Sequence, residues 1–338
     1  DIRPCVGANY CLDRIYQCGL AFCIHNAATG REETMPHEIT RAEKSLKVVI
    51  VGAGPAGLEA ARVCAERGHA VVVFEAASDA GGQIRLTAQS ERRREMIGII
   101  DWRMSQCEKL GVIFHFNSWA EADTVVAEKP DVVIIATGGL PHTEVLSKGN
   151  ELVVSAWDII SGDVKPGTNV LVYDDAGDHT GLQAAEFIAK AGGKVEIMTP
   201  DRSFAPEVMA MNLVPYMRSL QKYDATFTVT YRLEAAERSG NQIIAHVGSD
   251  YGGVSKQRVV DQIVVNHGTI PLDELYFELK PGSKNLGEIS YDALIAGAAQ
   301  TVERNPAGAY RLFRIGDAVA ARNTHAAIYD ALRLAKDL

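Results

Sequence analysis

The chain is short of positive charge: 34 Lys and Arg stand against 43 Asp and Glu, a formal net charge of −9. Nucleic acids and anionic membrane surfaces are gripped by dense basic patches, so this balance argues against both as partners. The one basic run, Arg92, Arg93 and Arg94, reads as a solvated helix face. No continuous apolar stretch approaches the roughly eighteen residues of a membrane span, and no charged, apolar, small-residue leader opens the chain. A cytoplasmic location is the expectation. Cysteine is scarce too, six in 338 residues, too few for a disulfide scaffold. Four of the six lie at or before Cys23, whereas Cys64 and Cys107 sit in helical patterns and read as inert core thiols. The first residue is Asp1, beside this cysteine cluster, which suggests a piece of something longer.

What is present is an apolar content of 47%, enough to bury a substantial core and, at this length, to build about two domains. Residues 1–45 carry Pro, Gly and Asn at irregular intervals without periodicity, as in a loop-rich segment. From Leu46 strands and helices alternate: KVVIVG as a strand, Pro55 to Arg67 as a helix, AVVVFE as a second strand. A long helix around Arg93 to Leu110 and strands near Val112 to Phe116 and Val132 to Ala136 follow. A second unit repeats the pattern with NVLVY, a helix from Gly181 to Ala191, KVEIM and a helix from Glu207 to Lys222. Shorter strands are expected around Thr226 to Thr230, Gln242 to Val247 and Val259 to Val265. The tail returns with YRLFRIGDAV and a last helix from about Thr324 to Lys336. The expected architecture is α/β, with two Rossmann-like domains of the FAD/NAD(P)-binding kind. A cysteine-rich segment (1–45) precedes a dinucleotide domain (46–150 and 285–338), into which a second domain (151–284) is inserted.

Gly52, Gly54 and Gly57 fall between an apolar strand and a helix that opens with Pro55 and Ala56. Such glycines permit a tight turn, close approach of backbone to a pyrophosphate, and close helix–strand packing. The helix N-terminus then faces the phosphates. Glu75 ends the second strand, 23 residues after Gly52, where a carboxylate accepts hydrogen bonds from ribose hydroxyls. Gly81, Gly82 and Gln83 come next, either an ordinary turn or a close approach to a flavin-type cofactor. Thr137 and Gly138 in ATGG, and Asp317 in FRIGD, add further close-approach positions, and together they favour an FAD-shaped site over an NAD-shaped one. Asp317 as cap of the last helix is compatible with either.

The second unit's loop, YDDAGDHTG, is wrong for a dinucleotide. With Gly181 aligned to the third glycine of the fingerprint, Ala176 and Asp178 stand where the first two would be. A pyrophosphate would meet Cβ atoms and the charges of Asp174, Asp175 and Asp178. The same acids suit a helix N-terminus as caps. In the leader, Cys5, Cys11 and Cys23 form a loop cluster whose soft thiolates suit an iron–sulfur centre. The position completing a C-x-x-C-x-x-C run is Ala8, with Cys18 at an unorthodox spacing; four free thiols without metal is the other reading. Trp102, Arg103 and Trp157 read as packing residues with an adenine contact as the alternative. His179, His267 and His325 have no cysteine or carboxylate at a recognisable metal or triad spacing, so they read as hydrogen-bonded or surface histidines.

The segments RPCVGANYCLDR, CIHNAATGRE, GAGPAGLEAAR and FRIGDAVAARNTHAAIYDALRLA resemble the C-terminal half of the trimethylamine dehydrogenase and 2,4-dienoyl-CoA reductase family, across essentially the whole chain. Within it, Ala8 and the DDAGD loop are most similar to the N-methylproline and dimethylglycine demethylases. The resemblance implies an N-terminal β/α barrel, absent here, that holds FMN and substrate, together with a [4Fe-4S] cluster and FAD or ADP at the first loop. It places Cys5, Cys11 and Cys23 on three of the four cluster ligands and Ala8 on the fourth. It further implies oxidation of an N-methylated amino acid, electron transfer to an acceptor such as electron-transfer flavoprotein, and a homo-oligomer. The alternatives are an NAD(P)H-dependent reductase and a non-catalytic ADP-binding module. The catalytic residues lie outside this sequence.

Overall fold

The computed structural model describes every residue from Asp1 to Leu338. Two compact units emerge, one of residues 1–140 and 270–338, the other of residues 141–269. The expected boundary near 150 therefore falls inside the second unit, and that near 284 inside the first. Residues 270–284 join the first unit because Tyr276 and Leu279 bury themselves in one of its hydrophobic clusters.

The first unit is built on a five-stranded parallel sheet in the order Arg311–Arg314, Val132–Ile135, Lys47–Val51, Ala70–Phe74, Ile113–His115. Its central strands are dominated by Val and Ile, as a parallel sheet covered on both faces requires. Val49 sits opposite Val72 on one side and Val133 on the other. Alternate residues feed two cores. Val48 and Ile50 pack with Leu58, Ala61, Ile99 and Ile328 on one face; Val49 and Val51 pack with Val125, Leu279 and Leu312 on the other. Cys64 and Cys107 lie in the first of these cores, where burial pushes both thiols up to about 12.

The helix expected over Arg93 to Leu110 is two elements, a 3-10 turn Glu91–Ile97 and an α-helix Gly98–Lys109. Glycine is a poor helix former, and Gly98 sits at the join where a Cβ would press Val6 at 3.3 Å. The leader, loop-rich as expected, has one short helix, Tyr10–Tyr16. It is anchored at two places. Arg103, fully buried on the helix Gly98–Lys109, donates to Glu59 (2.8 Å), to His25 Nδ1 (2.8 Å) and to the His25 carbonyl (2.8 Å). Arg62 completes the pairing with Glu59 at 2.7 Å. On the last helix, Thr324–Ala335, His325 Nδ1 donates to the Cys23 carbonyl (2.8 Å), so its Nε2 accepts from Arg31 (3.1 Å). Burial holds both imidazoles neutral, His25 down to about 3 and His325 down to about 4.

The second unit has its own five-stranded parallel sheet, ordered Val153–Ser155, Gln262–Asn266, Asn169–Asp174, Lys194–Met198, Thr226–Thr228. A three-stranded antiparallel meander, Arg232–Ser239, Gln242–Ser249 and Val254–Val260, packs on it through Ile243, Ala245 and Val247. The single strand expected over Val259 to Val265 is divided between the two sheets at Asp261. There the Asp261 carboxylate accepts from the Asn169 N–H (3.0 Å) and from the Thr168 hydroxyl.

Candidate nucleotide-binding site

The glycine-lined loop leaves the C-terminal end of the central strand Lys47–Val51, where open α/β sheets bind ligands. Its three glycines do different things. A Cβ on Gly52 would collide with the Ala136 carbonyl, and one on Gly57 with the Gly52 carbonyl; both glycines serve the close packing of loop, helix and neighbouring strand. Gly52 also needs its positive φ of 102°. Gly54 has nothing within 4 Å of its missing Cβ and borders open space. It is the N-cap of the helix Pro55–Glu66, and no side chain caps that helix. Backbone N–H groups of the first turn are thus left for an anion.

Glu75 lies where expected. Its two oxygens accept from the Ala53 N–H (2.7 Å) and the Ala77 N–H (2.9 Å), which fixes the carboxylate beside the loop. A cleft of about 630 Å³ opens here, lined among others by Gly52, Glu75, Trp119, Thr137, Leu275 and Glu278, a volume ordinary for a small-molecule site. Trp119, 67% exposed, is the large aromatic surface at this cleft. Sequence reasoning missed it: nothing local marks a tryptophan in a loop as a wall of a pocket. Trp102 has no part in the cleft, since it stands edge-on to His25 with the Arg3 guanidinium 4.0 Å above its ring, and Arg103 belongs to the buried ion network. Trp157 lies in the second unit.

Farther along, Gly82 approaches Gly54, a Cβ there lying 3.5 Å from the Gly54 Cα. Gln83 Nε2 donates to Asp317 (3.0 Å), whose other oxygen accepts from the Arg322 N–H (3.2 Å). Burial raises the Asp317 carboxyl above its ordinary range. Thr137 turns its hydroxyl to the Leu272 carbonyl, and Gly138 adopts a positive φ of 75° with open space at its Cβ position. The uncapped helix, the open space at Gly54 and the fixed Glu75 carboxylate fit an adenosine diphosphate moiety, with Gln83 and Asp317 beyond it.

The equivalent loop of the second unit is filled by protein. Asp178 caps the helix His179–Lys190 through the Thr180 N–H (2.8 Å). Asp174, fully buried, accepts from the Gly177 N–H (3.0 Å), and Asn266 donates to both Asp174 (2.9 Å) and Asp178 (3.0 Å). Burial first, then the Asp178 and Asp175 charges, push the Asp174 carboxyl up to about 8. Beside it, His267 is paired through Nδ1 with Asp175 at 2.8 Å, a carboxylate partner 92 positions away that no local spacing reveals.

The leader cysteines are not brought together as ligands. Cys5, Cys11 and Cys18 are exposed and Cys23 half-buried, all four free, and no group of three or more His, Cys, Asp or Glu side chains is placed to hold a metal ion. Ala8, where the fourth cluster ligand would stand, packs against the core. These residues do not fit a four-thiolate iron–sulfur cluster.

A family model described as an NAD(P)-binding Rossmann-like domain matches residues 50–104. The chain is 80% identical, over its whole length and 50% of the other protein, to the "Probable N-methylproline demethylase" of Rhizobium meliloti (strain 1021). The chain is thus similar, over its whole length, to half of a protein named as an N-methylproline demethylase. It is also 43% identical to the N,N-dimethylglycine/sarcosine dehydrogenase of Chromohalobacter salexigens, over 99% of this chain and 50% of that one. Among solved structures, the 6-hydroxypseudooxynicotine amine oxidase of Pseudomonas geniculata N1 superposes with a TM-score of 0.81 at 26% identity, covering 97% of this chain and 48% of its own. The chain therefore spans about half the length of the curated relatives it matches. No helix is long and apolar enough to cross a membrane.

Proposed function

We propose that this chain is the electron-transfer half of a flavin-dependent oxidoreductase that demethylates an N-methylated amino acid of the N-methylproline or dimethylglycine type. The N-methyl group would give up a hydride to leave an iminium, which water converts to formaldehyde and the demethylated amine. The catalytic residues and the FMN belong to the half of the relatives that this chain does not span, a β/α barrel in our reading. In this half, Gly52, Gly54, Pro55, Ala56 and Gly57 seat the pyrophosphate of FAD or ADP, Glu75 holds the ribose, and Gly82, Gln83, Thr137, Gly138 and Asp317 line the remainder. A bound flavin would supply a carrier that accepts electron pairs and releases them singly. The electrons leave to a soluble acceptor such as electron-transfer flavoprotein, and the assembly is a cytoplasmic homo-oligomer.

One contrast carries this reading. The first loop offers an uncapped helix and open space at Gly54; the second offers Asp178 already on the helix N-terminus and Asp174 beneath it. A demethylase needs no nicotinamide nucleotide, whereas a reductase does. Stopped-flow mixing of the full-length enzyme tests it: N-methylproline or dimethylglycine should bleach the flavin within the catalytic cycle, and NADPH or NADH should not. Rapid bleaching by NADPH alone would make it a reductase.

A further inference from the structure

We infer that residues 1–45 are held in place by protein contacts and carry no iron–sulfur cluster, the site having been closed at Ala8. The leader's three remaining cluster-spaced cysteines and its loop character suit metal-held order; the structure supplies that order otherwise. Ala8, partly buried, packs against the apolar cluster that contains Val6 and Ile99, so the position of the missing ligand is occupied by a packing contact. Cys23 is pinned by its backbone and its neighbours rather than by its sulfur. Its carbonyl accepts from His325, Phe22 stacks on the same imidazole at 5.7 Å, and Tyr10 stacks on it at 4.9 Å. Arg31 spans this stack, 3.7 Å above Phe22 and 4.3 Å above Tyr329. Two residues beyond Cys23, His25 is gripped at ring and carbonyl by the buried Arg103.

These two anchors bracket Cys23 on both sides and tie the leader to the helices Gly98–Lys109 and Thr324–Ala335. An iron–sulfur centre in so short a loop needs its thiolates converging on one point; Cys5 and Cys11 stay at the surface and no third ligand joins them. Electrons moving between the amine-oxidising half and the nucleotide site then have no iron relay in this segment. The inference does not depend on which substrate is demethylated or on which nucleotide fills the first loop.

The test uses the full-length enzyme, grown on 57Fe and purified without oxygen. Iron and acid-labile sulfide should both be sub-stoichiometric, with no cluster signal in the Mössbauer spectrum; stoichiometric iron and sulfide overturn the inference. Hydrogen exchange supplies a second readout. Protection of residues 20–31 should be the same in protein from iron-replete and iron-starved cells and should fall in His325→Ala, whereas protection that follows the iron supply overturns it. Ala8→Cys restores the ligand spacing and should take up iron and sulfide under the same growth. An Ala8→Cys protein that stays iron-free removes Ala8 as the closing position.

Discussion

A Cβ built on Gly181 would lie 2.5 Å from the Asp174 carboxyl carbon. In a dinucleotide loop the third glycine clears the way for close helix–strand packing; here the space beside it holds a buried acid. Gly181→Ala should therefore destabilise the second unit by about 1–3 kcal/mol, the usual cost of overpacking. Gly54→Ala, which meets nothing, should cost no more than about 1 kcal/mol as a cap change, yet loosen nucleotide retention. Urea unfolding and the adenine nucleotide released per chain separate the two, and equal stability losses would contradict the assignment.

Asp174 sets a pH dependence. Its folded pKa of about 8 lies above the ordinary 3.8, so between those values the native state binds the proton that the unfolded chain has released. Stability contributed by this group is complete below about pH 4 and drains away as pH rises toward 8, at a rate approaching 1.4 kcal/mol per unit. Asp174→Asn keeps an acceptor for Gly177 and Asn266 without the charge. It should raise the unfolding midpoint at pH 7 and flatten its slope over this window; a variant less stable than the parent at pH 7 would refute the argument.

The ion network under the leader makes the opposite demand. Glu59 is fully buried, and the guanidinium groups of Arg62 and Arg103 hold its carboxyl far below the usual range against the cost of burial. Removing one partner strands a buried charge, so Arg103→Met should destabilise by about 3–5 kcal/mol. Because Arg103 also holds His25, the loss should be accompanied by rapid hydrogen exchange in residues 20–31. Urea unfolding with exchange mass spectrometry reads both, and a change near zero with full protection of the leader would count against the network as an anchor.

The central strands of both parallel sheets and the first loop were legible because the signals are local: Val and Ile runs, glycines at fixed offsets, an acid at a strand end; the order of the strands came only with the structure. The interruption at Gly98 and the division at Asp261 were not. The first depends on Val6 pressing against the helix, the second on hydrogen bonds to Thr168 and Asn169, each remote in sequence. The pairings Glu59–Arg103 and Asp175–His267 are likewise long-range, which is why His267 looked solitary. The cysteine spacing was legible as a pattern, but whether sulfur atoms converge depends on the packing of Ala8, and composition cannot show that.

Trp119 gives the sharpest test of the cleft. It is two-thirds bare, 67% exposed, in a loop whose neighbour Ser118 is tied by its N–H to the Glu75 carbonyl (2.9 Å). That bond fixes the loop beside the carboxylate proposed to hold the ribose, and the indole lines the same cleft, where an adenine attached to that ribose would have a ring to lie on. Stacking of a base on an aromatic ring contributes about 1–3 kcal/mol, so Trp119→Ala should weaken binding of ADP to the nucleotide-stripped full-length enzyme by roughly tenfold or more. Trp119→Phe, which keeps a smaller ring, should recover part of the loss. Stability should barely change, because the side chain is already in solvent. Calorimetric titration with ADP decides between outcomes. Unaltered affinity in Trp119→Ala, alongside lost affinity in Gly54→Asp, would leave the loop as the nucleotide site and remove the indole from it; no ADP binding by the wild-type protein would remove the site altogether.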